Sequence, residues 1–252
     1  MRKFGLIGYP LEHSFSKEYF TGKFNREKIT DCSYENFPIK SIKEFPDLLR
    51  KNPDLCGLNV TIPYKTEILK YVNITEDVVD QIGAANVLKI KRDNGKVYIS
   101  AHNSDVYGIK DSLIPCARGK RRKALILGTG GSSKAVAWTI RKMGCEAILV
   151  SREGRAGILT YSELNSTLLE NIDLIVNTTP LGMFPNIESK PEIDYSLLGS
   201  KHILFDLVYN PEMTAFLKMG KERGCKIITG MKMLRSQADR SWEIWNETDL
   251  RF

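Results

Sequence analysis

Three polar residues of different chemistry follow one short apolar run in the first half of the chain. Asn59, Thr61 and Lys65 belong to the segment Asn59-Val60-Thr61-Ile62-Pro63-Tyr64-Lys65, directly after the run Leu55-Cys56-Gly57-Leu58. An amide, a hydroxyl and an ammonium group could together bind a polyhydroxylated substrate and move a proton. The alternative interpretation is an ordinary polar loop, since connecting segments lie on the protein surface.

The elements around these residues decide where they lie. The apolar run predicts a buried strand, and Pro63 occupies a position where a helix would begin, because its fixed φ is suitable there and its missing N–H costs nothing. The three polar side chains would then lie at the carboxyl end of a strand. Open α/β sheets bind their ligands at that edge.

A glycine-rich segment in the middle of the chain is the second candidate site. The apolar run Ala124-Leu125-Ile126-Leu127 leads into Gly128-Thr129-Gly130-Gly131-Ser132-Ser133. Glycines between a strand and a helix let the backbone approach a pyrophosphate, and the helix N-terminus supplies N–H donors. Ser133 departs from the G-x-G-x-x-G pattern, but the strand before and the helix after predict a dinucleotide cofactor.

The end of the next predicted strand indicates which cofactor this is. NAD sites carry an acidic residue about 20 residues after the glycines, whereas an arginine suits the 2′-phosphate of NADP. Here the strand Ala147–Val150 ends in Ser151-Arg152-Glu153. Arg152 favours NADP. Glu153 leaves NAD open, and Arg152 as a plain surface residue is the simpler alternative.

Short apolar runs alternate with amphipathic stretches in two series. The first series predicts strands and helices of a mixed α/β sheet, with a hairpin at Asp93-Asn94-Gly95; the strands are Lys3–Gly8, Cys32–Phe37, Leu55–Thr61, Asn86–Ile90 and Val97–His102, and the helices Ser16–Glu27, Ile42–Lys51, Glu67–Tyr71 and Glu76–Ile82. The second series predicts a Rossmann-like, doubly wound parallel sheet, with the clearest helix at Ser133–Met143 and strands at Ala124–Leu127, Ala147–Val150, Leu174–Asn177, Ile203–Leu207 and Ile227–Ile228. The tail Met233–Trp245 has helical spacing.

Composition narrows the possible functions of this chain of 252 residues. Its formal net charge of +7 suits an anionic substrate and a phosphate-rich cofactor. Nucleic-acid binding is not predicted, because the basic residues are spread out apart from one cluster, Arg118–Lys123. The five cysteines are scattered and the three histidines lack metal-ligand spacing, which predicts free thiols and no metal site. The apolar runs are too short for a membrane span, and the N-terminus does not have the pattern of a signal peptide, so we expect a cytoplasmic protein.

Eight short motifs, in order, make the chain similar to the shikimate dehydrogenases over nearly its whole length. They are Ser14-Phe15-Ser16, the segment Asn59–Lys65, Gly83-Ala84-Ala85-Asn86, Asn103-Ser104-Asp105-Val106-Tyr107-Gly108, Gly128–Gly131, Asn177–Met183, Asp206-Leu207-Val208-Tyr209-Asn210-Pro211 and Gly230–Ala238. The chain departs from the family pattern at Lys17, Val87, Ser104 and Glu153. Only the departure at Glu153 bears on the chemistry, because it concerns the choice of cofactor.

The resemblance implies two domains and one reaction. Residues 1–104 would form a substrate-binding domain, onto which a C-terminal helix, residues 236–252, packs back. Residues 105–235 would form an NADP-binding domain. The implied reaction is the reversible reduction of 3-dehydroshikimate to shikimate in chorismate and aromatic amino acid biosynthesis. A quinate/shikimate dehydrogenase that prefers NAD and a non-catalytic sensor on the same fold are the alternatives, and the chain would act as a monomer or homodimer.

The resemblance also implies roles for individual residues. Lys65 and Asp105 would be the catalytic pair. The implied substrate contacts are Ser14, Ser16, Asn59, Thr61, Asn86, Tyr209 and Gln237, with Ser14 and Ser16 at the substrate carboxylate. The implied NADP contacts are Gly128, Thr129, Gly130, Gly131, Ser132, Ser151, Arg152, Thr178, Leu207 and Gly230.

Overall fold

The computed structural model describes residues 1–11, 14–114 and 123–247. Within them the chain divides into two compact units. The first comprises the described residues of Met1–Ser104 and Ala238–Phe252, and the second those of Asp105–Gln237. The basic cluster predicted at Arg118–Lys123 lies outside the described residues except for Lys123, as do the last five residues of the helix predicted over 236–252.

The first unit contains a six-stranded mixed sheet. Its strands are β1 (Arg2–Gly8), β2 (Cys32–Pro38), β3 (Leu55–Val60), β4 (Ile74–Thr75), β5 (Val87–Asp93) and β6 (Lys96–His102). The strand order is β2-β1-β3-β5-β6-β4. β1 runs parallel to β2 and β3, β5 runs antiparallel to β3 and β6, and β4 runs parallel to β6. The Asn94–Gly95 turn joins β5 and β6, which confirms the predicted hairpin.

Helices cover both faces of this sheet. They are α1 (Phe15–Arg26), α2 (Phe45–Lys51) and α3 (Asp77–Ile82), with 3₁₀ turns at Ile42–Glu44 and Glu67–Tyr71. Side chains alternate across β1, so Ile7 packs into a core that contains Phe45 and Leu58, whereas Phe4 packs into an aromatic core with Phe20 and Trp245. Both faces of the central strands are therefore buried.

The second unit contains a six-stranded parallel sheet. Its strands are β7 (Lys123–Leu127), β8 (Glu146–Ser151), β9 (Ile158–Thr160), β10 (Leu174–Asn177), β11 (Ile203–Asp206) and β12 (Lys226–Ile228). Their order is β12-β11-β10-β7-β8-β9, and every pair is parallel. The order reverses direction between β10 and β7, which is the topological switch point of a doubly wound sheet. The predicted fold class is confirmed.

The helices of the second unit are α4 (Asp105–Leu113), α5 (Gly131–Lys142), α6 (Ser166–Leu169) and α7 (Ala215–Glu222), with 3₁₀ turns at Tyr161–Glu163 and Tyr195–Leu197. The last helix, α8 (Gly230–Asn246), begins in the second unit and ends in the first. The predicted helical tail is therefore confirmed, and the helix starts three residues earlier than its apolar spacing indicated.

Two expectations differ from the structure. β4 and β9 were not predicted, because strands of two or three residues are too short to show periodicity. The helix expected to begin at Pro63 is also wrong, since a turn follows β3 and leads into the 3₁₀ turn Glu67–Tyr71. The carbonyl group of Lys65 accepts a hydrogen bond from the N–H of Ala85, at 2.8 Å, so it is used for a distant segment rather than for an α-helix.

Candidate active site

Several of the polar residues predicted in the first unit lie at or beside the carboxyl end of β3. The N–H of Val60 donates to the carbonyl oxygen of Asn86 at 2.8 Å, and the N–H of Ala85 donates to that of Lys65. The N–H of Thr61 donates to the carbonyl oxygen of Ile7 at 2.9 Å, which continues the pairing with β1. The backbone thus brings the segments that carry Asn59, Lys65 and Asn86 together.

The two asparagine side chains are buried and hydrogen-bonded. Asn59 is 5% exposed and Asn86 is 3% exposed. The Tyr34 hydroxyl donates to Oδ1 of Asn59 at 2.8 Å, and Nδ2 of Asn59 donates to the Ser241 hydroxyl at 2.9 Å. Two hydrogen bonds join Asn86 and Ser104. Nδ2 of Asn86 donates to the Ser104 hydroxyl at 3.0 Å, and the N–H of Ser104 donates to Oδ1 of Asn86 at 2.7 Å.

Ser14 and Ser16 lie at the N-terminus of α1. Ser14 is the N-cap residue, and its hydroxyl accepts a hydrogen bond from the N–H of Ser16 at 3.3 Å. Both serines are half-buried. A helix N-terminus carries partial positive charge and unpaired N–H groups, so an anionic group would be favoured beside them.

The remaining predicted catalytic and substrate-binding residues are divided between the two units. Lys65 and Thr61 are half-buried in the turn after β3. Asp105 is 4% exposed and is the first residue of α4. Tyr209 follows β11, and Gln237 lies in α8, so both belong to the second unit.

The glycine-rich segment of the second unit forms the turn between β7 and α5. Gly128 has a φ of +113°, and a Cβ there would lie 2.7 Å from Oγ1 of Thr178, so only glycine is compatible with both. Gly130 is the N-cap residue of α5 and has no side chain that could cap the helix. A Cβ at Gly130 would meet no described atom within 4 Å. The turn therefore leaves an open approach to the N-terminus of α5.

The other predicted cofactor contacts lie at the same sheet edge. Ser151 and Arg152 are at the end of β8, Thr178 follows β10 and Leu207 follows β11. Carboxyl ends of parallel strands meet at one edge, so these residues lie at the same sheet edge as the Gly128 turn. Arg152 is exposed. Gly230 completes the edge, because a Cβ there would lie 2.8 Å from the carbonyl oxygens of Leu207 and Val208.

A buried carboxyl group ties two loops of this edge together. Oδ1 of Asp206 accepts hydrogen bonds from Nδ2 of Asn177 and from the N–H of Val208, each at 3.0 Å. Its Oδ2 accepts from the Thr214 hydroxyl at 2.6 Å. Burial raises the pKa of Asp206 to about 6, although the three hydrogen bonds oppose this shift.

Sequence reasoning missed several residues that support the predicted ones. Asp206 and Asn177 each end an apolar strand, and a polar residue in that position was an available signal for both. Tyr34 gave no such signal, because an aromatic residue is ordinary in a strand. Ser241 gave none either, because serine is common on the polar face of a helix.

Two further properties concern the described residues only. Across residues 1–11, 14–114 and 123–247, the model contains no cluster of three or more His, Cys, Asp or Glu side chains that could hold a metal ion. None of the helices in the same ranges has the length and apolar character needed to cross a membrane.

Comparisons with known proteins show similarity to shikimate dehydrogenases. The family model described as "Shikimate dehydrogenase substrate binding domain" matches residues 6–88. The shikimate dehydrogenase (NADP(+)) of Caldicellulosiruptor bescii is 36% identical over 97% of this chain and 89% of that protein. The structure of shikimate dehydrogenase 1 from Peptoclostridium difficile has a TM-score of 0.82 at 32% identity, and covers 99% of this chain and 93% of its own.

A complex in the same group carries both ligands. The shikimate 5-dehydrogenase from Thermus thermophilus, solved with NADP(H) and shikimate, has a TM-score of 0.84 at 25% identity. The match covers 98% of this chain and 94% of that one.

Proposed function

The chain belongs to the shikimate dehydrogenase family, and we propose that it catalyses the reversible, NADP-dependent reduction of 3-dehydroshikimate to shikimate. This reaction is a step of chorismate and aromatic amino acid biosynthesis. One observation supports this specific reaction rather than only a nicotinamide-dependent oxidoreductase of unknown substrate. The backbone of the first unit brings Asn59, Lys65 and Asn86 together at the carboxyl end of β3, and these residue types suit a substrate with several hydroxyl groups.

The second unit fits NADP. The positive φ of Gly128, the open N-terminus of α5 and the shared carboxyl edge of β7, β8, β10 and β11 form a cradle for a pyrophosphate. Gly128, Thr129, Gly130, Gly131 and Ser132 would hold the pyrophosphate, and Ser151, Arg152, Thr178, Leu207 and Gly230 would complete the site. Arg152 carries the charge that a 2′-phosphate requires. When bound, the nicotinamide supplies and accepts the hydride.

The first unit supplies most of the substrate contacts. Ser14 and Ser16 bind the substrate carboxylate, which is supported by their place at the N-terminus of α1. Asn59, Thr61 and Asn86 contact the ring hydroxyls, and Tyr209 and Gln237 are proposed as further substrate contacts because they occupy the matching positions of the family motifs. The burial of both asparagines supports this role, because a buried amide that contacts a hydroxyl discriminates well against analogues that lack the hydroxyl.

Lys65 and Asp105 transfer the proton of the substrate hydroxyl. An alcohol oxygen must lose its proton as the carbon is oxidised and regain it in the reverse direction. A lysine in contact with that oxygen can accept and return the proton, and an aspartate can orient the ammonium group and support its charge. Lys65 is half-buried, and Asp105 is a buried residue at the N-terminus of α4.

Assaying each combination of substrate and cofactor tests this proposal. Purified protein is given shikimate or quinate with NADP or NAD, and the absorbance of the reduced cofactor is followed. We expect the highest kcat/KM for shikimate with NADP. Preference for quinate with NAD would identify a quinate/shikimate dehydrogenase instead. Tight binding of shikimate without turnover in any combination would identify a sensor.

Location and assembly are proposed separately. We place the protein in the cytoplasm, which is supported by the free thiols of Cys32, Cys56, Cys145 and Cys225 among the described cysteines. We propose a monomer or a homodimer in solution. Sedimentation velocity at several protein concentrations tests the assembly state, and a larger oligomer would contradict it.

A further inference from the structure

The Asn59 side chain has both N–H groups in use. Its Nδ2 donates to the Ser241 hydroxyl at 2.9 Å and to the carbonyl oxygen of Asn86 at 3.4 Å. A backbone carbonyl only accepts hydrogen bonds, so the amide atom beside it must be the nitrogen. The amide oxygen therefore lies beside Tyr34, whose hydroxyl donates to it at 2.8 Å. That oxygen has a second lone pair, so Asn59 can contact a further group only as an acceptor.

Tyr34 is well suited to hold this oxygen. It is 4% exposed, and its ring stacks on that of Phe20 with centroids 4.5 Å apart and planes 13° apart. Burial raises the pKa of the Tyr34 phenol, and a hydrogen bond from the Ser16 hydroxyl opposes the shift. The phenol thus keeps its single proton, which is donated to Asn59. Tyr34 thereby joins Ser16 and Asn59, two of the substrate contacts proposed above.

Ser241 holds the other end of the amide and links it to Asn86. The hydroxyl groups of Ser241 and Ser104 are 3.1 Å apart, and Ser104 is bonded twice to Asn86. The chain Tyr34, Asn59, Ser241, Ser104 and Asn86 is buried and consists of neutral groups. Rotating the Asn59 amide by half a turn would place its oxygen beside the Asn86 carbonyl and its nitrogen beside the Tyr34 hydroxyl. One orientation is therefore strongly preferred.

We propose that Tyr34 and Ser241 are positioning residues that fix the Asn59 amide as a hydrogen-bond acceptor for a substrate hydroxyl. Asn59 then selects for a hydroxyl and against a carbonyl or carboxylate oxygen at its subsite. This inference rests on the proposed function, because it takes Asn59 to be a substrate contact.

Tyr34→Phe tests the first positioning residue, because it keeps the stacked ring and removes only the hydroxyl. Steady-state shikimate oxidation with NADP should show KM for shikimate raised about three- to tenfold, the effect of one neutral hydrogen bond. We expect kcat and KM for NADP to stay unchanged. A merely structural role would instead lower the active fraction, which reduces the apparent kcat and leaves both KM values alone. Tyr195→Phe is the matched control, since Tyr195 is a buried tyrosine of the second unit that donates to the carbonyl oxygen of Pro191.

A double-mutant cycle tests whether Tyr34 acts through Asn59. In an Asn59→Ala background, Tyr34→Phe should cause no further rise in KM for shikimate, because the group that it positions is gone. Ser241→Ala should resemble Tyr34→Phe, and Ser241→Thr should restore KM because it keeps the hydroxyl. If Tyr34→Phe does not fold, the pair of Ser241 variants provides the same test.

The outcomes separate the two proposals. A wild-type protein that neither binds nor oxidises shikimate overturns the proposed function and this inference with it. An active wild-type protein whose KM for shikimate is unchanged in Tyr34→Phe and Ser241→Ala overturns the positioning role alone. The positioning role is also overturned if Tyr34→Phe raises KM for shikimate by the same factor in the Asn59→Ala background as in the wild type.

Discussion

The buried carboxyl group of Asp206 should give the protein a pH-dependent stability that one substitution removes. In Asp206→Asn, the amide oxygen can keep the hydrogen bonds from Asn177 and Val208. The amide nitrogen can donate to the Thr214 hydroxyl, which accepts as readily as it donates. The substitution therefore removes the titrating charge and keeps the shape of the side chain, while the Thr214 hydroxyl changes from donor to acceptor, a cost that does not depend on pH.

The magnitude follows from the pKa of Asp206, which burial raises from 3.8 to about 6. One pKa unit corresponds to about 1.4 kcal/mol, so ionisation of Asp206 should lower the free energy of unfolding by about 3 kcal/mol. The folded chain keeps its proton to a higher pH than the unfolded chain does. The contribution of Asp206 to stability should therefore fall as the pH rises from 3.8 to about 6, and stay low above that range.

Urea unfolding of the wild type and Asp206→Asn across this pH range is the assay. The free energy of unfolding of the variant minus that of the wild type should increase with pH, and other carboxyl groups cancel in this difference. Asp111→Asn is the control: a hydrogen bond from Ser236 lowers the pKa of Asp111 below 3.8, so its stability change has the opposite sign and lies below this pH range, and the difference for Asp111→Asn should stay nearly flat across it. A difference for Asp206→Asn that does not change with pH would refute the reasoning.

Three further predictions concern catalysis and specificity. Lys65→Ala should lower kcat about 10²-fold or more through loss of a proton-transfer group, with a smaller change in KM. Lys70→Ala, which replaces an exposed lysine nearby, is the control. A rise in KM at normal kcat would make Lys65 a binding residue instead. Arg152→Ala should weaken NADPH binding by about 1.5–3 kcal/mol and leave NADH kinetics unchanged, since the lost bond is to a charged group; equal losses for both cofactors would exclude contact with the 2′-phosphate. Shikimate should be preferred over quinate at least about tenfold in kcat/KM, because the extra hydroxyl of quinate would remain unpaired beside Ser14 and Ser16, and Ser14→Ala should act mainly through KM. Comparable efficiency on the two acids in the wild type would contradict this.

The strand, turn and helix around Gly128 could be predicted from the sequence because their signals are local. Gly128 and Gly130 lie within a few residues of both β7 and α5, so an apolar run, glycines and helical spacing appear in one short window. The parallel order of the strands then follows from the alternation of strands and helices. Arg152 could also be singled out from a local signal, because it directly follows β8, which contains an apolar run.

The supporting contacts could not be predicted because they join distant segments. Tyr34 lies 25 residues before Asn59, and Ser241 lies 182 residues after it. No local pattern pairs these positions, since the pairing depends on the order of strands in the sheet and on the course of α8. The wrong helix at Pro63 has the same origin. Its first turn is compatible with the sequence, but the bond from Ala85 to Lys65 is made across the fold.

Asn59 and Asp206 are both buried and hydrogen-bonded, but the first side chain is a neutral amide and the second is a carboxyl group. In the role proposed for it, Asn59 presents one oxygen to a substrate hydroxyl, and the neutral hydroxyl groups of Tyr34 and Ser241 hold its amide without adding a charge. Asp206 instead holds two backbone loops, and a carboxylate makes stronger hydrogen bonds than a neutral group does. That strength carries the cost of burying a charge, which the raised pKa of Asp206 expresses. The stability of the second unit should therefore change with pH as Asp206 ionises, whereas the orientation of Asn59 should not depend on pH.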